Sequence, residues 1–147
     1  MQGLADYAGR LYAGPGMQEL LLGLQDEAGQ DVLLLLTACW LGRQQRAADR
    51  ALWRRLQDCQ RPWRQQVIQP LRQVRRTLAD SDGPRELYEQ VKACELAAEW
   101  HQLAVLERLC ADAPRTAAPL RECVLAHLAY CCNGLEDGRL QRLAAAA

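Results

Sequence analysis

The sequence predicts an all-α protein, a single-domain bundle of about six or seven helices around a central apolar helix at residues 32–41. Three observations carry this. Apolar residues recur at spacings of three and four along nearly the whole chain, which is the period of one helix face. No stretch alternates apolar and polar long enough to make a strand. The breaks between periodic segments are built from glycine and proline, the residues that punctuate helices. At 147 residues the chain has the length of one domain and buries roughly two thirds of its unfolded surface on folding. Residues 1–147 therefore read as one helical domain, with 144–147 as a tail that nothing fixes.

The first helix is expected over 4–13, broken by Gly14-Pro15-Gly16, and the second over 17–27, closed by Gly29. Asp31 is a natural N-cap for the third, 32–41, and Gly42 stands where a left-handed C-terminal residue is wanted. Being apolar on every face, this helix should be surrounded by the others. A fourth, 45–59, places Ala48, Leu52, Leu56 and Cys59 on one face. Pro62 then opens a fifth, 62–78, because proline at the first helical position loses no needed hydrogen bond. Its stripe is Trp63, Val67, Leu71, Val74 and Leu78, and Pro70 inside it should bend or break it. Asp80-Ser81-Asp82-Gly83-Pro84 is the strongest turn signal. The longest helix, 84–111, carries Leu87, Val91, Cys94, Ala98, His101, Val105 and Leu109 on one stripe. After a linker at 114–119, short helices follow over 120–132 and 135–143.

Composition narrows the function classes. The 18 basic and 18 acidic residues cancel, so no global field draws the chain to nucleic acid or an anionic membrane, and any electrostatic argument is local. Lys92 is the one lysine. With phenylalanine absent and alanine and leucine abundant, the arginine bias reads mainly as GC-rich codon usage. The first residues lack the basic-then-apolar pattern of an export signal, and the apolar block at 32–41 is far short of the ~20 residues of a spanning helix. Seven cysteines without export signals fit a reducing, cytoplasmic setting, with Cys39 and Cys94 on apolar faces and expected to be buried.

Charge segregation is the most distinctive feature. Between residues 43 and 76 ten arginines face two aspartates, a net charge of +8, while residues 1–42 and 86–112 each carry −4. On a regular helix Arg61, Arg64, Arg72, Arg75 and Arg76 fall on one flank and form a basic ridge. Such a ridge either meets the two acidic segments inside the fold or presents a surface to phosphate or an acidic partner. The matching charges favour internal pairing.

Other constellations point to core packing. Cys123, His127 and Cys131 share a helix face at metal-ligand spacing, yet Leu120, Val124 and Leu128 share nearly the same face, and no metal or cofactor is expected. His101 reads as a core histidine. Ser81 is the only serine, so no serine triad forms, and phosphate-binding loops are missing. Asp80 with Asp82, and Asp26 with Asp31, do not give the paired carboxylates on one helix face that an all-helical prenyl-transferring enzyme would use. No catalytic residue is assigned.

Three stretches, LYAGPGMQELLLGLQDEAGQDVLLLLTACWLG (11–42), VIQPLRQVRRTL (67–78) and LYEQVKACELAAEW (87–100), are similar in order and spacing to a proteobacterial family of small helical proteins known as a domain of unknown function. The resemblance implies a helical cytoplasmic protein and carries over no catalytic residues. Its Gln-Asp and Pro-Leu-Arg-x-x-Arg-Arg segments fall here on Gln25, Asp26, Pro70, Leu71, Arg72, Arg75 and Arg76. The resulting expectation is a non-enzymatic adaptor or regulatory protein. It would bind another protein through the ridge or an adjoining groove, using Arg64, Arg72, Arg75, Arg76, Gln25 and Asp26. A nucleic-acid-contacting module on the arginines of 61–76 is the alternative, and a prenyl-transfer-like enzyme the third reading.

Overall fold

Asp31 starts the central helix in the computed structural model, which describes residues 2–80, 82 and 84–147. Its Oδ1 accepts from the backbone N–H of Leu33 at 2.9 Å and of Leu34 at 3.4 Å, satisfying donors that a helix start leaves orphaned. In chain order the helices are α1 (Leu4–Tyr12), α2 (Met17–Ala28), α3 (Val32–Arg43), α4 (Arg50–Trp63), α5 (Gln69–Asp80), α6 (Arg85–Leu109), α7 (Leu120–Cys131) and α8 (Gly138–Ala146). α4 and α5 form one rod, joined by a π-helical turn at Arg64–Ile68. Among the described residues this makes seven continuous helical rods and no strand. Of the expected turn at 80–84, Ser81 and Gly83 lie outside the described residues, as does Met1.

α3 is the centre, as its uninterrupted apolarity requires, with every residue from Leu33 to Gly42 buried. Gly29, at φ 67°, ends α2 in the left-handed conformation, and the Gln30 N–H reaches back to the Leu24 carbonyl at 3.0 Å. Gly42 has a different role from the one expected. It lies inside α3, where α7 crosses so closely that a Cβ would stand 2.5 Å from Val124 Cα and 2.6 Å from its backbone nitrogen. The positive φ at this end belongs instead to Gln45, at 51°.

The fourth helix starts five residues later than its periodicity suggested. Asp49 caps it through the Ala51 N–H at 3.0 Å, and the preceding segment is extended against the second linker. There the Ala47 N–H donates to the Pro114 carbonyl at 2.7 Å and the Thr116 N–H to the Gln45 carbonyl at 2.9 Å. Pro62 does not begin a new helix. It is exposed, so the carbonyl of Asp58, deprived of its donor, can turn to water. Pro70 does not break the rod either. The turn before it closes through the Gln69 N–H to the Arg64 carbonyl, one residue wider than an α-turn, and this width relieves the proline ring's clash with the chain one turn back.

That extra residue changes the phase of everything after it by about 100°. The stripe expected from Trp63 to Leu78 is therefore incomplete, with Trp63, Val67, Leu71 and Leu78 only half-buried. Ile68 is buried instead, Val74 is 47% exposed, and α5 has no buried residue. On α6 the inward face is Glu95, Gln102, Leu103 and Leu106, roughly a quarter turn from the expected stripe. His101 and Cys94 are consequently exposed, against the expectation that both sit in the core. α8 docks Leu140, Leu143 and Ala144, so residues 144–146 are helical where a frayed tail was expected. No helix among the described residues is long and apolar enough to cross a membrane.

Candidate functional site

The arginines expected on one ridge divide into two groups because of the π turn. Beyond it, Arg72 and Arg75 turn inward to α6. Arg72 Nε donates to Glu95 Oε2 at 3.1 Å, and Arg75 donates through Nε to Oε1 and through Nη2 to Oε2 at 3.5 Å. Glu95 is buried, so one carboxylate takes two guanidinium partners in a poorly solvated seam between α5 and α6. The hydrogen bond to Glu95 raises the Arg75 pKa further. One turn along α6, Glu99 has its pKa pushed up to about 6, first by burial and then by the negative charge of Glu95. Tyr12 of α1 is raised as well, by burial and then by Glu99. Two carboxylates four residues apart thus share one helix face under the arginines, a pair overlooked in the sequence because that face, a quarter turn from the apolar stripe, reads as solvent-facing.

Before the π turn the picture reverses. Arg50, Arg54, Gln57, Arg61 and Arg64 stand at spacings of four, three, four and three, which keeps them on one side of the rod. They border two hollows in line along α4, of about 540 Å³ and about 320 Å³, with Gln57 common to both. Gln57 Nε2 is held by the carbonyls of Tyr130 and Cys131 at 3.2 and 3.3 Å. Arg50 and Arg54 are exposed and make no side-chain hydrogen bond or ion pair among the described residues. Among the described residues Arg61 meets only Asp58, one turn back at 3.5 Å, with both side chains well exposed.

Arg64 stands 3.9 Å from Asp31 and 3.5 Å from the Gln30 carbonyl, loosely engaged at the inner end of the trough. Gln60 lies beneath it, 1% exposed. Its Nε2 donates to Asp31 Oδ2 at 2.9 Å, while its Oε1 is buried without a hydrogen-bond partner, a state that costs about 1–3 kcal/mol. The trough therefore presents unspent guanidinium donors, above an amide acceptor that is buried beneath its floor.

Arg76, Asp26 and Gln25 come together at the far end of the rod. Arg76 Nη2 lies 3.9 Å from Asp26 Oδ1, with both side chains about half exposed, and Gln25 Nε2 donates to the same carboxylate at 3.3 Å. All four of the arginines Arg64, Arg72, Arg75 and Arg76 thus approach a carboxylate of one of the two acidic segments.

His127 is fully buried. Trp53 Nε1 donates to its Nδ1 at 2.9 Å, so the neutral ring holds its proton on Nε2 and donates it to the Arg46 carbonyl at 2.7 Å. Burial lowers its pKa, and both nitrogens are used by the protein. Among the described residues no group of three or more His, Cys, Asp or Glu side chains is arranged to hold a metal ion. Cys39 is buried and pushed up to about 12, by burial and then by Cys132, and behaves as a small hydrophobe. His101, on the surface, stacks on Trp63 with ring centroids 5.1 Å apart.

Fold and sites together define an all-α protein whose arginines are shared between an internal carboxylate seam and an open trough. A family described as a protein of unknown function (DUF2390) matches residues 4–106, and the chain belongs to that family. The matched region runs from the start of α1 almost to the end of α6 and contains the seam and the α4 side of the trough. No curated protein and no solved structure matches the chain.

Proposed function

We propose that this is a non-enzymatic adaptor or regulatory protein that holds an acidic segment of a partner protein in the trough along α4. One observation carries the reading. Arg50, Arg54, Arg61 and Arg64 share one side of the rod over two hollows that meet at Gln57, and Arg50 and Arg54 have no carboxylate partner among the described residues. An acidic helix or strand laid along the rod would meet them with charge-assisted hydrogen bonds.

A protein suits the trough better than nucleic acid for two reasons. The chain as a whole is neutral and lacks the field that gathers polyanions. The trough also contains Asp31 and is lined by Gln57, Gln60, Gln65 and Gln69, side chains that pair with peptide amides as readily as with anions. In this reading Arg72 and Arg75 hold the rod in place, and Arg61 and Arg64 are the two residues of the ridge expected from sequence that reach the partner.

The test uses the full chain and two fluorescent probes, a helical peptide with glutamates spaced alternately three and four residues apart and a single-stranded RNA of similar charge. The peptide should bind and RNA should not, and R54Q/R61Q should weaken the peptide at least tenfold with unchanged thermal stability. Binding of RNA alone, with log affinity falling steeply against log salt, would transfer the trough to nucleic acid. Equal affinity of wild type and R54Q/R61Q for the peptide would remove the trough from the function.

A further inference from the structure

The side of α6 that faces away from the core is not polar. Ala93, Leu96, Ala97, Trp100 and Ala104 are all exposed and lie within about one third of the helix circumference by the 3.6-residue period. Leu96 is 55% and Trp100 45% exposed. A tryptophan centred on an exposed apolar helix face is the residue type that most often anchors an interface. From the geometry we infer that this face is a dimer contact, and that its occupant is the same face of a second copy, antiparallel, with the two-fold axis passing at Ala97.

Three features of the face select a copy of itself. The first is shape. With Ala97 on the axis, each Trp100 comes level with the gap between Ala93 and Ala97 of the other copy. The large side chain then enters a hole lined by small ones, and Ala97 against Ala97 lets the backbones approach. A two-fold across the helices also keeps Leu96 on the same side as its symmetry mate, so the two leucines meet.

The second feature is charge. In that register Glu86 stands level with Arg108 of the other copy, twice over by symmetry, and both residues are exposed on this side of the helix. Glu89 is already neutralised by Arg85 at 3.0 Å, so the ends of the contact gain an attractive pair without stacking unpaired like charges. A parallel arrangement would set Glu86 beside Glu86.

The third is size. The 25 residues of α6 give a face about 37 Å long, and one helix laid on another over this length buries on the order of 1,000 Å² in total, the lower bound for a specific interface. The dimer is therefore a weak one, with a dissociation constant in the micromolar range.

The experiment is sedimentation of the full chain across concentration, together with oxidative cross-linking in a C94A background that removes the exposed native thiol. Wild type should shift from monomer to dimer as concentration rises to about 100 µM, and L96E and W100A should each remain monomeric with an unchanged melting temperature. A97C should cross-link to itself under mild oxidation. A104C should not, because its two copies would stand about 21 Å apart along the axis. A wild type monomeric throughout would overturn the inference. So would a dimer that L96E and W100A leave intact, or one in which A97C fails to cross-link while A104C succeeds.

Discussion

Replacing Glu95 by glutamine removes one charge and strands two. In the native seam the carboxylate accepts from Arg72 and Arg75, whose side chains are 18% and 25% exposed. Breaking a buried pair by removing one partner costs about 3–5 kcal/mol, because the remaining charge stays desolvated. Two effects reduce this. Each guanidinium still reaches some water, which screens it. Glu99, one turn away and raised to about 6 first by burial and then by the charge of Glu95, is already ionised at pH 7.5 and, once Glu95 is gone, supplies part of the missing countercharge. The net expectation for E95Q is a loss of about 2 kcal/mol, or roughly 4–8 °C in Tm for a chain of this size. Urea unfolding at pH 7.5, with m unchanged, measures it. The double variant E95Q/E99Q should lose about 1 kcal/mol more, since no countercharge remains. If E95Q lies within 0.5 kcal/mol of wild type while E95Q/E99Q does no worse, the arginines are solvated and the seam holds nothing together; the limit of significance is roughly that of an ordinary surface change.

Glu99, raised from 4.5 to about 6, binds its proton more tightly in the folded state, so its ionisation opposes folding above pH 6 and that penalty fades as pH falls from 6 towards 4.5. E99Q should therefore exceed wild type in stability at pH 8 by about 1–2 kcal/mol and converge with it near pH 4.5; a difference independent of pH would mean that the carboxyl is not desolvated. G42A should destabilise by about 2–3 kcal/mol through the clash of α3 with α7, despite alanine's better helix propensity. Adding V124A should not rescue it, because the new Cβ meets the Val124 backbone. In native protein, a thiol reagent should modify Cys94 promptly and leave Cys39 untouched until unfolding, as mass spectrometry of the labelled chain would report; prompt labelling of Cys39 would contradict its burial in α3.

The central helix was legible because its signature needs no phase. A run apolar on all sides can only be enclosed, and Asp31 ahead of it is a local capping signal that depends on two neighbouring N–H groups. Helix faces were harder. On α6 the inward side carries Glu95, Glu99 and Gln102, which pattern reading scores as solvent-facing, and the nearest apolar series, from Leu87 to Leu109, drew the face to the wrong flank. Glu95 is buried only because Arg72 and Arg75 arrive from another helix, and that is information no local window contains. Gly42 illustrates the same limit. A glycine near a helix end is ambiguous between a left-handed cap and a close crossing, and Val124, 82 residues on, decides it.

The π turn explains why the candidate site was half visible. Reading the rod at a constant 100° per residue merged Arg61 and Arg64 with Arg72, Arg75 and Arg76 into one ridge, whereas the extra residue between them aims the first pair along the trough and turns Arg72 and Arg75 into the seam. The two sets are held separately. Pairing Arg72 and Arg75 with Glu95 fixes the rotation of α5 against α6, whereas Leu52, Trp53 and Leu56, buried in the core, fix which side of α4 presents Arg50, Arg54 and Arg61. Their energetic roles separate likewise. Seam residues exchange water for one another and so contribute to stability, while trough arginines remain solvated and contribute almost none. A seam variant should therefore lower the melting temperature and, while the protein stays folded, leave acidic-peptide affinity nearly intact. A trough variant should do the opposite. Loss of both properties together in R54Q/R61Q would show that these arginines also brace the rod, and the division of labour along it would have to be abandoned.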